Sequence, residues 1–197
     1  MNRKIYLVRH GKIDTGNEKC YIGVTDIPLN EDGIMQAYKL KEFFVNIDIE
    51  KAYISPLTRC VQTADIILQD RNIERVLVRN LMEINMGKWE GKSFKCIKAL
   101  FPEEFEKRGG SIDTYTPPEG ESFKQVETRV LPTYRAIIEN SKGNLLIVAH
   151  AGVNRVILSN ILSRPLNSIL ELKQQYGCIN ELCYEDEYRT WSWKVIV

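Results

Sequence analysis

A three-layer α/β/α sandwich with a mainly parallel central sheet is the fold class this sequence predicts, and two observations predict it. Segments rich in β-branched and aromatic residues at 4–8 and 51–55 alternate with helical patterns at 31–45 and 57–69. That alternation is the rhythm of parallel strands joined through covering helices. A later apolar run at 145–149 has no polar interruption, as a strand covered on both faces requires.

Each element has its own local signals. The first helix places Ile34, Ala37, Leu40 and Phe44 at helical spacing, with Asn30 as N-cap and Glu31 and Asp32 in the positive first turn. In the second, Ser55 reads as the cap and Pro56 as the first helical residue, where a missing N–H costs nothing. A third opens on the capping box Ser122-x-x-Gln125 and lines up Phe123, Val126, Val130, Tyr134, Ile137 and Ile138; Pro132 should bend it and Gly143 stop it. After Gly152 a helical run through Val153, Val156, Ile157 and Leu162 ends before Pro165. Alternation in 171–185 and 189–197 predicts a closing strand pair turning at Glu185-Asp186-Glu187. Between 93 and 121 the pattern is broken by Pro102, Gly109-Gly110, Pro117-Pro118 and Gly120, which reads as an irregular excursion within one domain spanning 1–197.

Bulk properties narrow the function classes. A formal net charge of +1 offers no basic field for nucleic acid or a membrane surface, so any anion site is local. The start Met-Asn-Arg-Lys-Ile-Tyr-Leu-Val-Arg-His has too short an apolar run for a signal peptide, and no stretch approaches the ~18 apolar residues of a membrane span. Cys20, Cys60, Cys96, Cys178 and Cys183 are an odd set without a CxxC pair, which fits a reduced cytoplasm. No HxH, HExxH or Asp-rich loop offers metal-ligand spacing, and no cofactor is expected.

The two histidines each stand where a predicted buried strand gives way to a Gly-containing turn: Val8-Arg9-His10-Gly11 and Val148-Ala149-His150-Ala151-Gly152. Ligands of open α/β sheets bind at the carboxyl ends of strands. A third strand end leads to Arg59, whose cation at a helix start is disfavoured by roughly 0.3–1 kcal/mol unless an anion is shared there. Arg9 beside His10 adds a second guanidinium fork suited to phosphate oxygens.

Taken in order, Leu7-Val-Arg-His-Gly11, Gly23-Val-Thr-Asp-Ile-Pro-Leu29, Ser55-Pro-Leu-Thr-Arg59, Glu83 ahead of Gly87-Lys-Trp-Glu-Gly91, Gly120-Glu-Ser122 and Ala149-His-Ala-Gly152 resemble the histidine phosphatase superfamily, with its phosphoglycerate mutase-like fold. The resemblance implies that His10 is the phosphohistidine nucleophile, that Arg9, Arg59, His150 and Ala151 bind the phosphoryl group, and that Glu83 is the proton donor. It implies a metal-independent phosphomonoesterase acting on a small-molecule ester, with 93–121 over the active-site mouth. The chain departs from the common pattern after His10, where Lys12, Ile13 and Gly16 stand; Asn17 or Thr15 is left to supply the usual loop contact.

Within the superfamily, Cys20-Tyr21, Met86-Gly-Lys-Trp-Glu90 and Gln175-Tyr-Gly-Cys178 most resemble the α-ribazole phosphatases, which remove the 5′-phosphate from a cobalamin lower-ligand nucleoside. For such a leaving group Trp89, Phe94, Phe101, Phe105 and Tyr115 are candidate wall residues. The alternatives are a phosphoglycerate mutase, a broad-specificity metabolite phosphatase, and a phospholigand-binding module without turnover.

Overall fold

The computed structural model describes residues 2–16, 18–185 and 190–196. Six strands form one sheet: β1 (Asn2–Arg9), β2 (Lys51–Ile54), β3 (Glu74–Leu77), β4 (Leu145–Ala149), β5 (Ile179–Glu185) and β6 (Thr190–Val195), in the order β3-β2-β4-β1-β5-β6. The β3-β2, β2-β4 and β4-β1 pairs are parallel and the last two antiparallel, so the sheet is mainly parallel. The helices are α1 (Glu31–Phe44), α2 (Thr58–Ile67), α3 (Phe94–Leu100), α4 (Pro102–Gly110), α5 (Phe123–Glu139) and α6 (Ala151–Ile161).

Strand alternation splits the core in two. Tyr6 and Val8 of β1 face a cluster with Leu40, Phe44, Ala64 and Ile67 of α1 and α2. Ile5 and Leu7 face the opposite cluster, with Val126, Val130, Val156 and Ile157 of α5 and α6. The result is the three-layer sandwich, and β4, covered on both sides, is fully buried. Register completes the arrangement: Arg9 lies beside Ala149, and Val148 beside Ile54, so the carboxyl ends of β1, β4 and β2 finish level.

Several sequence readings need correction. Edge strand β3 has no strong signal because three of its four residues are exposed and two of them are charged. Residues 93–121 hold α3, capped by Ser93, and α4, opened by Pro102; each is too short for periodicity to stand out among the Pro and Gly residues. Helix α5 stops at Asn140, before Gly143. The strand pair begins at Ile179, since Leu166–Glu171 is a 3-10 turn, and the proposed turn residues Asp186 and Glu187 lie outside the described residues, as does Asn17. Ser55 does not cap α2. The Thr58 N–H and hydroxyl donate instead to Asp26, at 2.8 and 2.7 Å.

All five cysteines are free thiols. No helix among the described residues is long and apolar enough to cross a membrane.

The start of α5 is set by a reciprocal pair: Ser122 Oγ accepts from the Gln125 amide, and the Gln125 side chain accepts from the Ser122 amide. Ser122→Ala should cost about 1 kcal/mol of unfolding free energy, read from urea denaturation. Loss within experimental error would mean that packing of Phe123 alone holds this helix end.

Candidate active site

The level strand ends gather residues far apart in sequence. His10 follows β1 and donates its backbone N–H to Ala149 O at 3.1 Å; the Ser55 N–H, after β2, donates to Val148 O at 3.0 Å. His150 follows β4 and is the N-cap residue of α6. The two imidazole centroids are 5.1 Å apart.

Both rings have assigned hydrogen-bond roles. His10 Nδ1 lies 2.7 Å from Gly11 O, a carbonyl that can only accept, so Nδ1 carries the proton and Nε2 keeps its lone pair. Burial, then the Arg9 and Arg59 charges, holds the His10 pKa well below 6.5. His150 Nδ1 accepts from Arg59 Nε at 3.3 Å, which leaves Nε2–H to donate to Ser55 Oγ at 2.7 Å. Its pKa is also pushed well below 6.5, by burial first and then by the neighbouring His10, Arg59 and Arg9 charges.

Arg59 is 1% exposed, and its guanidinium donates to Gly23 O at 2.6 Å and Thr25 O at 2.7 Å. Arg9 reaches over the Tyr176 ring, 3.7 Å from its centroid, and donates to Gln174 O at 2.6 Å; its buried Nε has no partner among the described residues. The Glu83 carboxylate sits at the start of α6, accepting from the Gly152 N–H at 3.0 Å and the Ile84 N–H at 2.9 Å. A Cβ at position 152 would meet Glu83 Oε1, so a side chain there would push the carboxylate from its place. The strand-free segment carrying Glu83 is pinned by Arg129, which donates to Asn80, Met82 and Glu83 carbonyls and pairs with Glu121 at 2.9 Å.

These groups face a cavity of about 610 Å³ whose wall includes Arg9, His10, Arg59, Glu83 and Ala151. His150 lies just beneath that wall, fully buried, with both ring nitrogens engaged by protein groups. Thr15 reaches the wall. So does Arg155, which sequence reading missed; its one signal is a position four residues after Ala151, on the same face of α6. Burial pulls the Arg155 pKa below its ordinary value. Of the five aromatic wall candidates only Phe94 lines the cavity, together with Tyr21, Phe123 and Tyr176. Trp89 is buried in the core, and Tyr115 packs on it at 5.6 Å. Among the described residues no three His, Cys, Asp or Glu side chains group as metal ligands.

With that geometry established, comparisons with known proteins place the chain. Residues 5–195 match the profile of the histidine phosphatase superfamily (branch 1). The adenosylcobalamin/alpha-ribazole phosphatase of Salmonella typhimurium is 27% identical over 177 residues, covering 89% of this chain and 87% of that protein. A 6-phosphofructo-2-kinase/fructose-2,6-bisphosphatase of Caenorhabditis elegans is 31% identical over 169 residues, covering 85% of this chain and 36% of the relative. In fold, the crystal structure of the alpha-ribazole phosphatase from Shigella flexneri superposes with a TM-score of 0.89 at 24% identity, covering 98% of this chain and 95% of that one. The chain belongs to branch 1 of the histidine phosphatase superfamily and is a phosphatase.

Proposed function

We propose that this phosphatase hydrolyses small phosphate monoesters through a phosphohistidine on His10. The observation that carries the reading is the His10 imidazole: Nδ1–H is committed to Gly11 O, while the ring lines a cavity beside Arg9 and Arg59. A neutral imidazole with a free Nε2 lone pair is the attacking form.

Nε2 attacks phosphorus as the bond to the ester oxygen breaks, and the departing oxygen takes a proton from Glu83. Water then attacks phosphorus, Glu83 accepts its proton, and the P–N bond breaks to release orthophosphate and neutral His10. Arg9, Arg59 and the amino end of α6 at Ala151 face charge on the equatorial oxygens, so positioning and electrostatics supply what phosphoryl transfer needs. His150, in this reading, holds Arg59 and Ser55 from below.

For the substrate, the reading is an α-ribazole 5′-phosphate-like ester, which would place the chain in cobalamin biosynthesis. Its support is the likeness to the Salmonella alpha-ribazole phosphatase together with the apolar part of the wall, where Tyr21, Met86, Phe94 and Tyr176 would cover a flat leaving group. The expected setting is the cytoplasm, in keeping with five free thiols.

Activity should survive EDTA, His10→Ala should abolish it, and acid quenching of the wild type should trap acid-labile phosphate on the protein. A requirement for added Mg²⁺ would contradict the scheme. Because the His10 pKa lies well below 6.5, the neutral nucleophile persists as pH falls through 6.5, so the acid limb of kcat/KM should lie below that value. Arg9→Met removes a charge that depresses it and should move that limb upward; a wild-type limb centred near 6.5 would count against this assignment. Finally, kcat/KM for α-ribazole 5′-phosphate should exceed that for 3-phosphoglycerate and sugar phosphates by at least about tenfold, ~1.4 kcal/mol in transition-state binding. A smaller ratio removes the substrate assignment and leaves the hydrolase.

A further inference from the structure

Arg59 is aimed by the carbonyls of Gly23 and Thr25, which belong to a loop in neither helix nor strand. Two carbonyls in such a loop stay convergent on one guanidinium only if something fixes the backbone between them. That group is the Glu90 carboxylate. Its Oε2 accepts from the N–H groups of Gly23 at 3.1 Å and Thr25 at 3.3 Å, and its Oε1 from Val24 at 2.9 Å. The Thr25 hydroxyl also donates to Oε2, and the Met86 N–H donates to Oε1 at 2.9 Å.

Donors from three consecutive loop residues and from the segment after Glu83 thus meet on two oxygens. A carboxylate accepts at both oxygens, whereas an amide would turn its own N–H donors toward theirs. Burial would raise the Glu90 pKa, but the bonds from Thr25 and from the Met86, Gly23 and Val24 amides outweigh it and hold the group below 4.5. Gly23 fits this contact alone, since a Cβ there would collide with Ile84 O and Glu90 Oε1. The next loop residue, Asp26, accepts from Thr58 at the start of the helix that carries Arg59, so the loop is tied to that helix as well. Glu90 itself is not part of the cavity wall.

We infer that Glu90 is a positioning residue for phosphate binding: by fixing the Gly23–Val24–Thr25 backbone it aims the Arg59 guanidinium, without touching the substrate. The inference rests on the proposed use of Arg59 for the phosphoryl group. Its signature is dependence on Arg59, which a merely structural role would lack.

Binding of inorganic phosphate, followed by phosphorus NMR titration into the millimolar range, tests this independently of turnover. The proteins are wild type, Glu90→Gln, Thr25→Val, Arg59→Ala, and each of the first two variants combined with Arg59→Ala. Loss of a hydrogen bond to a charged group costs on the order of tenfold to 100-fold in affinity, so Glu90→Gln, by misplacing Arg59, should weaken phosphate binding by up to that factor. Thr25→Val deletes one donor from an exposed side chain and should weaken it severalfold. Neither change should weaken binding further once Arg59 is Ala. Equal losses with and without Arg59, or unchanged affinity in both single variants, would overturn the inference. If Glu90→Gln does not fold, Thr25→Val decides the matter by the same comparison. The Arg59→Ala arm alone reports on the underlying phosphate-site reading: undiminished binding there removes that reading, and this inference with it.

Discussion

A guanidinium that is 1% exposed must be answered inside the protein, and Arg59 is answered by two carbonyl oxygens and one imidazole nitrogen. Neutral acceptors engage three of its five N–H donors and leave its charge uncompensated. Among the described residues no ion pair joins it to Glu83, whose carboxylate is held by the Gly152 and Ile84 amides. The surroundings answer to the same burial: desolvation first, and the neighbouring Arg9 and Arg59 charges after it, keep His10 and His150 neutral, and the bond from Arg59 Nε to His150 Nδ1 leaves Nε2–H to donate to Ser55. Placing a cation at the amino end of α2 is therefore a local cost that the tertiary structure uses.

What could be read from the sequence is what local chemistry decides. Asn30 caps α1, Ser122 and Gln125 open α5, and the apolar run at 145–149 is the buried strand β4. Each is settled within a few residues of itself. Ser55 was misread because its partner lies 95 residues away: a good local cap geometry lost to a buried imidazole that no pattern near Ser55 announces. Strand β3 was missed because Glu74 and Arg75 face solvent at a sheet edge. Glu83 was found through family resemblance only; nothing in its neighbourhood distinguishes it from an ordinary surface carboxylate until α6 is folded against it.

The cavity divides along the same line. Its cationic end is made by strand ends whose alignment the sheet register imposes. Its apolar end is made by Tyr21, Phe94 and their neighbours, from a loop and from the short helices between the two halves of the chain. The cationic end is thus tied to the sheet, and the apolar end to segments that can change without disturbing it.

The central place of β1 also bears on how the protein is made. Ile5 pairs with Leu145 on one side and Leu182 on the other, so the first strand has no lateral partner on either edge until most of the chain exists. At about 5–20 residues per second of synthesis, residue 182 follows residue 5 by roughly 9–35 s. Until β4 is made, β1 is a hydrophobic strand with two open edges, and until β5 is made it keeps one, an aggregation hazard of the kind chaperones cover. Contacts of such sequence separation also predict slow folding after release. His10 is therefore translated well before the residues that complete its surroundings, and a chain that stops short of β4 carries His10 without the wall that β4 and α6 build around it.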